Sequence, residues 1–321
     1  MGGFLVGVDL GGTQVRAILT DEKGGPLKRV STLTLAREGP HKVMARVIDC
    51  IGQVLQGVER SEVVGIGIGA PGTVNPWTGV LSYTTNIPGL DDWPLRDQLA
   101  QQFGVPAFIG NDAKLGALGE HRFGAGREVD SLIYLTISTG IGGGVVDHGR
   151  LILGARGWAT ELGHTIVEPR GPRCPCGNLG CLEALAAGPA IARHAVELLQ
   201  SGTPSLLTPL LQSKTERVTA KEVAEAAKKG DSLALQVMER AAFYLGIGMV
   251  SFIHTFDPQM IIVGGGVSKA GDLLLAPARG IVAERAMTQE WRNTPIVPAV
   301  LGDDVGLLGA VALVLTETSA E

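Results

Sequence analysis

Residues 4–20, FLVGVDLGGTQVRAILT, and residues 131–154, SLIYLTISTGIGGGVVDHGRLILG, share one layout: an apolar run, a glycine cluster, and a second apolar run. Runs this short and this rich in β-branched residues read as strands, and the glycines between them as turns. The layout recurs in the second half of the chain, which indicates an internal duplication. The 46 glycines gather in short clusters at the ends of apolar runs. There glycine marks turns, or a close approach of backbone to ligand.

The flanking sequence fits two α/β units. After the first hairpin, PLKRVSTLTLA (26–36) predicts a third strand and residues 41–56 have helical spacing. VVGIGIG (63–69) reads as a buried strand, LRDQLAQQF (95–103) as a helix, VPAFIG (105–110) as a strand and DAKLGALGEHRF (112–123) as a helix. After the second hairpin, helices are predicted at 184–200, 219–229 and about 231–255, with Thr219 and Glu222 as a capping box. MIIVGGG (260–266) and IVPAV (296–300) read as strands and 304–316 as a last helix. The expected division is a smaller domain over 1–115, completed by the C-terminal helix 304–316, and a larger one over 116–303 that holds a cysteine-rich segment, 155–183.

Composition excludes several classes. The net charge is −5 with no basic block, so a nucleic-acid partner has no electrostatic support. There is no signal-peptide pattern, and no uninterrupted apolar run of about 18 residues that would predict a membrane span. Four cysteines in 321 residues do not make a disulfide scaffold, so a cytoplasmic setting with reduced thiols is expected.

Several motifs point to chemistry. Asp9-Leu10-Gly11-Gly12-Thr13 and Thr139-Gly140-Ile141-Gly142-Gly143-Gly144 hold equivalent places in the two halves. Backbone N–H groups at such glycines can approach phosphate oxygens, and Asp9 at a strand end can hold Mg²⁺ through water. No G-x-x-x-x-G-K-[ST] occurs. Gly67 to Gly72 matches G-x-G-x-x-G, but Pro76 and Gly79 follow where a dinucleotide site needs a helix. Asn111-Asp112, between strand and helix, reads either as a cap or as a carboxylate at a strand end placed to take a proton. His164, Cys174, Cys176 and Cys181 form a closed set for structural zinc. C-x-C is too tight for a routine disulfide, and the C-x-x-C of a redox pair is absent. Cys50 stands alone and reads as a small buried hydrophobe.

Taken together, the glycine motifs, Asn111-Asp112, Glu161-Leu162-Gly163-His164 and Cys174 to Glu183 resemble the ROK family of sugar kinases and related repressors, over essentially the whole chain. The resemblance implies the actin/hexokinase-type ATPase architecture: two ribonuclease-H-like domains with the active site in the cleft between them. It implies ATP-dependent phosphorylation of glucose at its 6-hydroxyl. The alternatives are fructose, N-acetylmannosamine or N-acetylglucosamine as acceptor, or polyphosphate as donor. Asp112 would be the general base, with Asn86, Asn111, Glu161, His164 and Glu183 as sugar contacts. Gly11, Gly12, Thr13, Thr139, Gly140 and Gly142 would cradle phosphates, and Gly264, Gly265 and Gly266 would lie under the adenosine. ATP, Mg²⁺ and structural Zn²⁺ are the implied cofactors, and a homodimer or homotetramer the implied assembly. Zinc on one nitrogen of His164 would orient the other toward a sugar hydroxyl. The family often has Ala-Gly before the first glutamate, where Trp158-Ala159-Thr160 stands here. The repressor branch carries a helix-turn-helix ahead of this fold. Here the first strand begins at residue 4, so DNA binding is not expected.

Overall fold

The computed structural model describes residues 3–84, 86–213 and 217–319. They divide into two compact units. The first holds the described residues up to Glu128, Val146–Thr160, and those from Val300 on; the second holds Val129–Val145 and Glu161–Ala299.

The first unit begins with β1 (Phe4–Leu10), β2 (Gln14–Thr20), β3 (Pro26–Leu33), α1 (Pro40–Val54) and β4 (Val63–Ala70). It continues with β5 (Thr73–Asn75), β6 (Val80–Tyr83), α2 (Leu95–Phe103), β7 (Ala107–Asn111) and α3 (Asp112–Phe123). Its sheet has the order β3-β2-β1-β4-β7, so β7 is an edge strand. β1 pairs antiparallel with β2 and parallel with β4. Val6, Val8, Ile66 and Ile68 are fully buried in one core with Val43, Val47 and Ile51 of α1. The C-terminal helix, Val305–Thr318, packs on β1, β4 and α3. Glycine inside the central strands has its reason here: a Cβ on Gly67 would lie 1.9 Å from Ala310 O, and one on Gly7 2.4 Å from Leu307 O. The helix backbone reaches the sheet because those two positions carry no side chain.

The second unit is built from β8 (Leu132–Ile137) and β9 (Ile141–Asp147), which runs into the first unit and turns back as β10 (Arg150–Leu151). Then come α4 (Leu182–Ala186), α5 (Gly188–Gln200), α6 (Thr208–Gln212), α7 (Ala220–Lys228), α8 (Ser232–Phe256), β11 (Met260–Gly264), α9 (Asp272–Arg285), α10 (Gln289–Arg292) and β12 (Ile296–Pro298). The C-terminal helix of the first unit is α11. The sheet order is β10-β9-β8-β11-β12, with β11 parallel to β8 and β12.

Several elements differ from the sequence expectation. The short hairpin β5–β6 and helices α6, α9 and α10 were not predicted; Pro277 inside α9 argues against a helix in sequence. The predicted helix 184–200 is two helices, because Ala187 is extended (ψ 163°) just before Gly188-Pro189. Gly142–Gly144 lie in β9, and the turn before it is confined to Ser138–Gly140. Thr219 does cap α7, accepting from Lys221 N at 3.2 Å, while Glu222 takes the Thr219 hydroxyl. Residues 116–128 stay in the first unit, since α3 continues unbroken to Phe123 and packs on α11. One helix among the described residues, α8, is long and apolar enough by length and composition to cross a membrane. Glu239 and Arg240 interrupt its sequence, and its buried face, from Leu233 through Ala241 and Leu245 to Phe252, packs on α7 and α9.

Glu120, near the end of α3, is a fully buried carboxylate. It accepts from Ala125 N at 2.9 Å and from Val300 N and Leu301 N at 3.0 Å each. Removing the acceptor frees three backbone donors, of which Val300 N belongs to a residue 64% exposed and can turn to water. Glu120→Ala is therefore expected to destabilise the protein by about 1–3 kcal/mol, read as a lowered urea midpoint at unchanged slope.

Candidate active site

In the first unit, the turn between β1 and β2 is fastened from below. Gly11 N donates to Gln14 O at 2.9 Å, Thr34 N to Thr13 O at 2.8 Å, and Thr34 Oγ1 to Gly11 O at 2.6 Å. This leaves Gly12 and Thr13 exposed at the tip. Asn86, also exposed, lies against Gly12, where an added Cβ would come within 3.2 Å of Asn86 Cβ. Asp9 at the end of β1 is paired with Arg16, whose Nε donates to Oδ2 at 3.1 Å and whose Nη2 donates to the same oxygen. Any magnesium contact of Asp9 would thus go through Oδ1.

Asn111 ends β7 and caps α3: its Oδ1 accepts from Ala113 N at 3.1 Å and Lys114 N at 3.2 Å. Its Nδ2 donates to Gly72 O at 3.0 Å. Asp112 follows at the first helical position, exposed, with Oδ1 accepting from Ala113 N at 2.8 Å. Cap and carboxylate are thus separate residues. The G-x-G-x-x-G run now has a structural account. Gly67 admits α11, Gly69 stands beside Asp112, and Gly72 holds the cap.

In the second unit, Glu183 joins two of the predicted groups. Its Oε2 accepts from Ile141 N at 2.9 Å, and a Cβ on Gly140 would fall 2.4 Å from that oxygen. Gly140 is therefore the residue that lets the hairpin sit on the carboxylate. The other oxygen, Oε1, lies 3.8 Å from Cys174 Sγ. Glu183 is in the first turn of α4, whose N-cap residue is Cys181.

The ligand atoms of His164, Cys174, Cys176 and Cys181 all lie within 4.8 Å of one another. Cys174 Sγ is 3.6 Å from His164 Nδ1, and Cys176 Sγ is 3.6 Å from Cys181 Sγ. A zinc tetrahedron with Zn–S of about 2.3 Å and Zn–N of about 2.0 Å has edges of roughly 3.5–3.8 Å, so the donor set and its spacing fit the metal. All four cysteines of the chain are free thiols. A tight turn makes the cluster: Cys174 N donates to Asn178 O at 2.8 Å, and Gly177 N to Cys174 O at 2.9 Å. Burial pushes the Cys174 thiol up to about 12 and raises Cys181 as well, whereas the backbone at Asn178 pulls Cys176 down. Three thiols held this close ionise together only when a cation offsets their charge. Nδ1 is the nitrogen of His164 on the cluster side.

Glu161 is exposed and opens the short turn Leu162–His164, with His164 N donating to its carbonyl at 3.0 Å. The preceding Thr160 has φ 65°, a left-handed conformation unfavourable for a β-branched residue. Gly265, at φ 87°, follows β11 against Ile137. Gly266 and Thr139 line a mostly apolar cavity of about 650 Å³, together with residues of α5 and α7 and with Lys269. Its size and lining suit a nucleoside. Gly264 faces the Tyr134 hydroxyl within the sheet and does not line it.

The sequence pattern of the ROK family matches residues 5–317. This chain belongs to the ROK family. The ROK chain is 41% identical over 310 residues to the glucokinase of Thermotoga maritima, covering 97% of this chain and 96% of that one. Among solved structures it is similar to a ROK hexokinase from Thermus thermophilus, with TM-score 0.84 and 37% identity over 99% of this chain and 100% of that one. It is also similar to a ROK family glucokinase from Streptomyces griseus in complex with glucose and AMPPNP, with TM-score 0.79 and 35% identity over 97% of this chain and 99% of that one. The two sheet-plus-helix units are those expected of the actin/hexokinase-type fold.

Sequence reading of this ROK member missed the rest of the second unit's cavity wall. Val218, Ala224, Lys228 and Met238 carry no motif and come together only because α7 and α8 pack side by side. It also missed the bond from Ile141 N to Glu183, which joins residues 42 positions apart.

Proposed function

We propose that this ROK protein transfers the terminal phosphoryl group of ATP to the 6-hydroxyl of glucose. The observation that carries the chemistry is Asp112, an exposed carboxylate at the end of β7 whose neighbour Asn111 does the capping. Glucose and ATP as the pair of substrates are supported by the end-to-end likeness to the named glucokinases.

Phosphoryl transfer needs positioning and charge stabilisation more than covalent help. Asp112 orients the acceptor hydroxyl and takes its proton late. Asn86, Asn111, Glu161, His164 and Glu183 are read as the hydrogen-bonding partners of the sugar. Gly12 and Thr13 at one turn and Thr139 and Gly140 at the other are the backbone positions that would meet phosphate, since Gly11 N and Ile141 N are already bonded, and the cavity bordered by Gly266 takes the nucleoside. Mg²⁺ bound with the nucleotide supplies positive charge to the phosphates. Structural zinc would be held by His164, Cys174, Cys176 and Cys181, fixing His164 and the start of α4.

The sugar contacts are polar throughout. Sites of this kind reject an analogue that leaves one of their groups unpaired. Trp158, the large apolar residue just before Glu161 in sequence, is 44% exposed with the Arg156 guanidinium 5.9 Å from its ring centre. With Mg-ATP, kcat/KM for glucose is expected to exceed that for N-acetylglucosamine, N-acetylmannosamine and fructose by at least about tenfold, or about 1.4 kcal/mol of transition-state binding. Polyphosphate in place of ATP tests the donor in the same assay. Another sugar matching glucose would overturn the substrate and leave the kinase reading standing.

A further inference from the structure

A groove of about 750 Å³ runs along the edge strand β7 of the first unit, within the usual size of a small-ligand site. It is walled by β7, one face of α3, the β9–β10 hairpin and the last turn of α11. Lys114, Leu118 and Arg122 recur at every fourth position of α3 and so share the face that lines it. Opposite them stands Arg150. The hairpin turn places it, with His148 at φ 46° and Gly149 at φ 74° in the left-handed pair that suits a two-residue turn.

The charge of this groove runs against that of the chain. Among its cationic residues Arg96 is neutralised by Asp97 at 2.9 Å, and His148 lies 4.0 Å from Asp147. Arg122 and Arg150 make no side-chain hydrogen bond or ion pair among the described residues. Glu317 is the one carboxylate in the lining, in a chain of net charge −5. Asn111, Thr316 and Ser319 are its other polar residues; most of the remaining wall is apolar, with Trp77 at its rim, 54% exposed. The backbone of Trp77 is held in place: its amide N–H donates to Asn75 Oδ1 at 3.1 Å, and its carbonyl accepts from Arg96 Nη1 at 2.9 Å.

We infer that this groove binds a small organic phosphate, its phosphate between Arg122 and Arg150 and its apolar body against Trp77 and the leucines. Two guanidinium groups without internal partners match a phosphate dianion, to which each can give two parallel hydrogen bonds. The apolar wall and the ring of Trp77 then remove the body of the ligand from water. Nothing in this inference depends on the proposed kinase activity.

The probe is 1-naphthyl phosphate, titrated calorimetrically into the full-length protein with AMPPNP and glucose at saturation. One saturable site per chain is expected. Arg122→Glu and Arg150→Glu should each weaken it at least tenfold, as should replacing the probe by inorganic phosphate or by 1-naphthol. Arg122→Gln, which removes charge without reversing it, should weaken it less. Both arginines are exposed, so the variants should keep the wild-type unfolding midpoint. No saturable binding up to about millimolar concentration overturns the inference. So does binding that the two reversals leave unchanged, or binding found only when AMPPNP is omitted, which would place the probe in the nucleotide cavity.

Discussion

Asp112→Asn is expected to lower kcat by roughly 10²–10⁴-fold, the span that a positioned general base contributes, while the affinity for glucose changes little. The amide keeps the shape of the carboxylate and one acceptor oxygen, so the acceptor hydroxyl can still be held. It cannot take the proton. The fold supplies a control, because Asn111 caps α3 and the amide oxygen at position 112 can still accept from Ala113 N, so the variant should unfold close to the wild-type midpoint. Asn111→Ala should do the reverse in part. It removes the cap from Ala113 N and Lys114 N and the bond to Gly72 O, a stability loss of about 1 kcal/mol for the cap. Near-normal turnover by Asp112→Asn would remove Asp112 from the chemistry.

The second large effect concerns the cysteine cluster. Purified protein is expected to contain one zinc per chain, and Cys176→Ser to lose it, with metal affinity falling by more than the 10–100-fold typical of changes outside the ligand set. Cys176 is the informative position because it is exposed, whereas Cys174 and Cys181 are buried. A serine there leaves no hydroxyl stranded in the core, so the consequence belongs to the metal. Loss of the metal should raise KM for glucose most, since His164 would be one of its ligands and Glu183 sits in the turn that Cys181 begins. KM for ATP should rise as well, by less, because Glu183 holds the 139–142 hairpin through Ile141 N. Elemental analysis that finds no zinc, or a disulfide mapped within 174–181, would defeat this assignment. An unchanged KM for ATP in the metal-free variant would show that the Glu183 bond survives without the metal.

What could be read from the sequence was local. The two glycine hairpins, the Asn111-Asp112 step from strand to helix, and the spacing of His164, Cys174, Cys176 and Cys181 each lie within a few turns of chain. Their geometry follows from backbone preference and ligand chemistry over short separations. Even the surplus glycines of β1 and β4 were visible as a pattern, although their cause was not. That cause is the backbone of α11, some 240 residues further along, resting on Gly67.

Tertiary structure decided the rest. That the C-terminal helix completes the first unit is expected from sequence, but not that this unit also takes back residues 146–160, since the β9–β10 hairpin carries no signal of where it packs. The nucleoside-sized cavity exists only because α5, α7 and the segment after β11 are packed around Thr139 and Gly266. The link from Glu183 to the hairpin, and the meeting of Arg122 with Arg150 across one groove, arise in the same way. Periodicity and spacing report on neighbours along the chain, whereas a binding surface is made by elements that burial of apolar area brings together. A sequence states which groups are available, and packing states which of them meet.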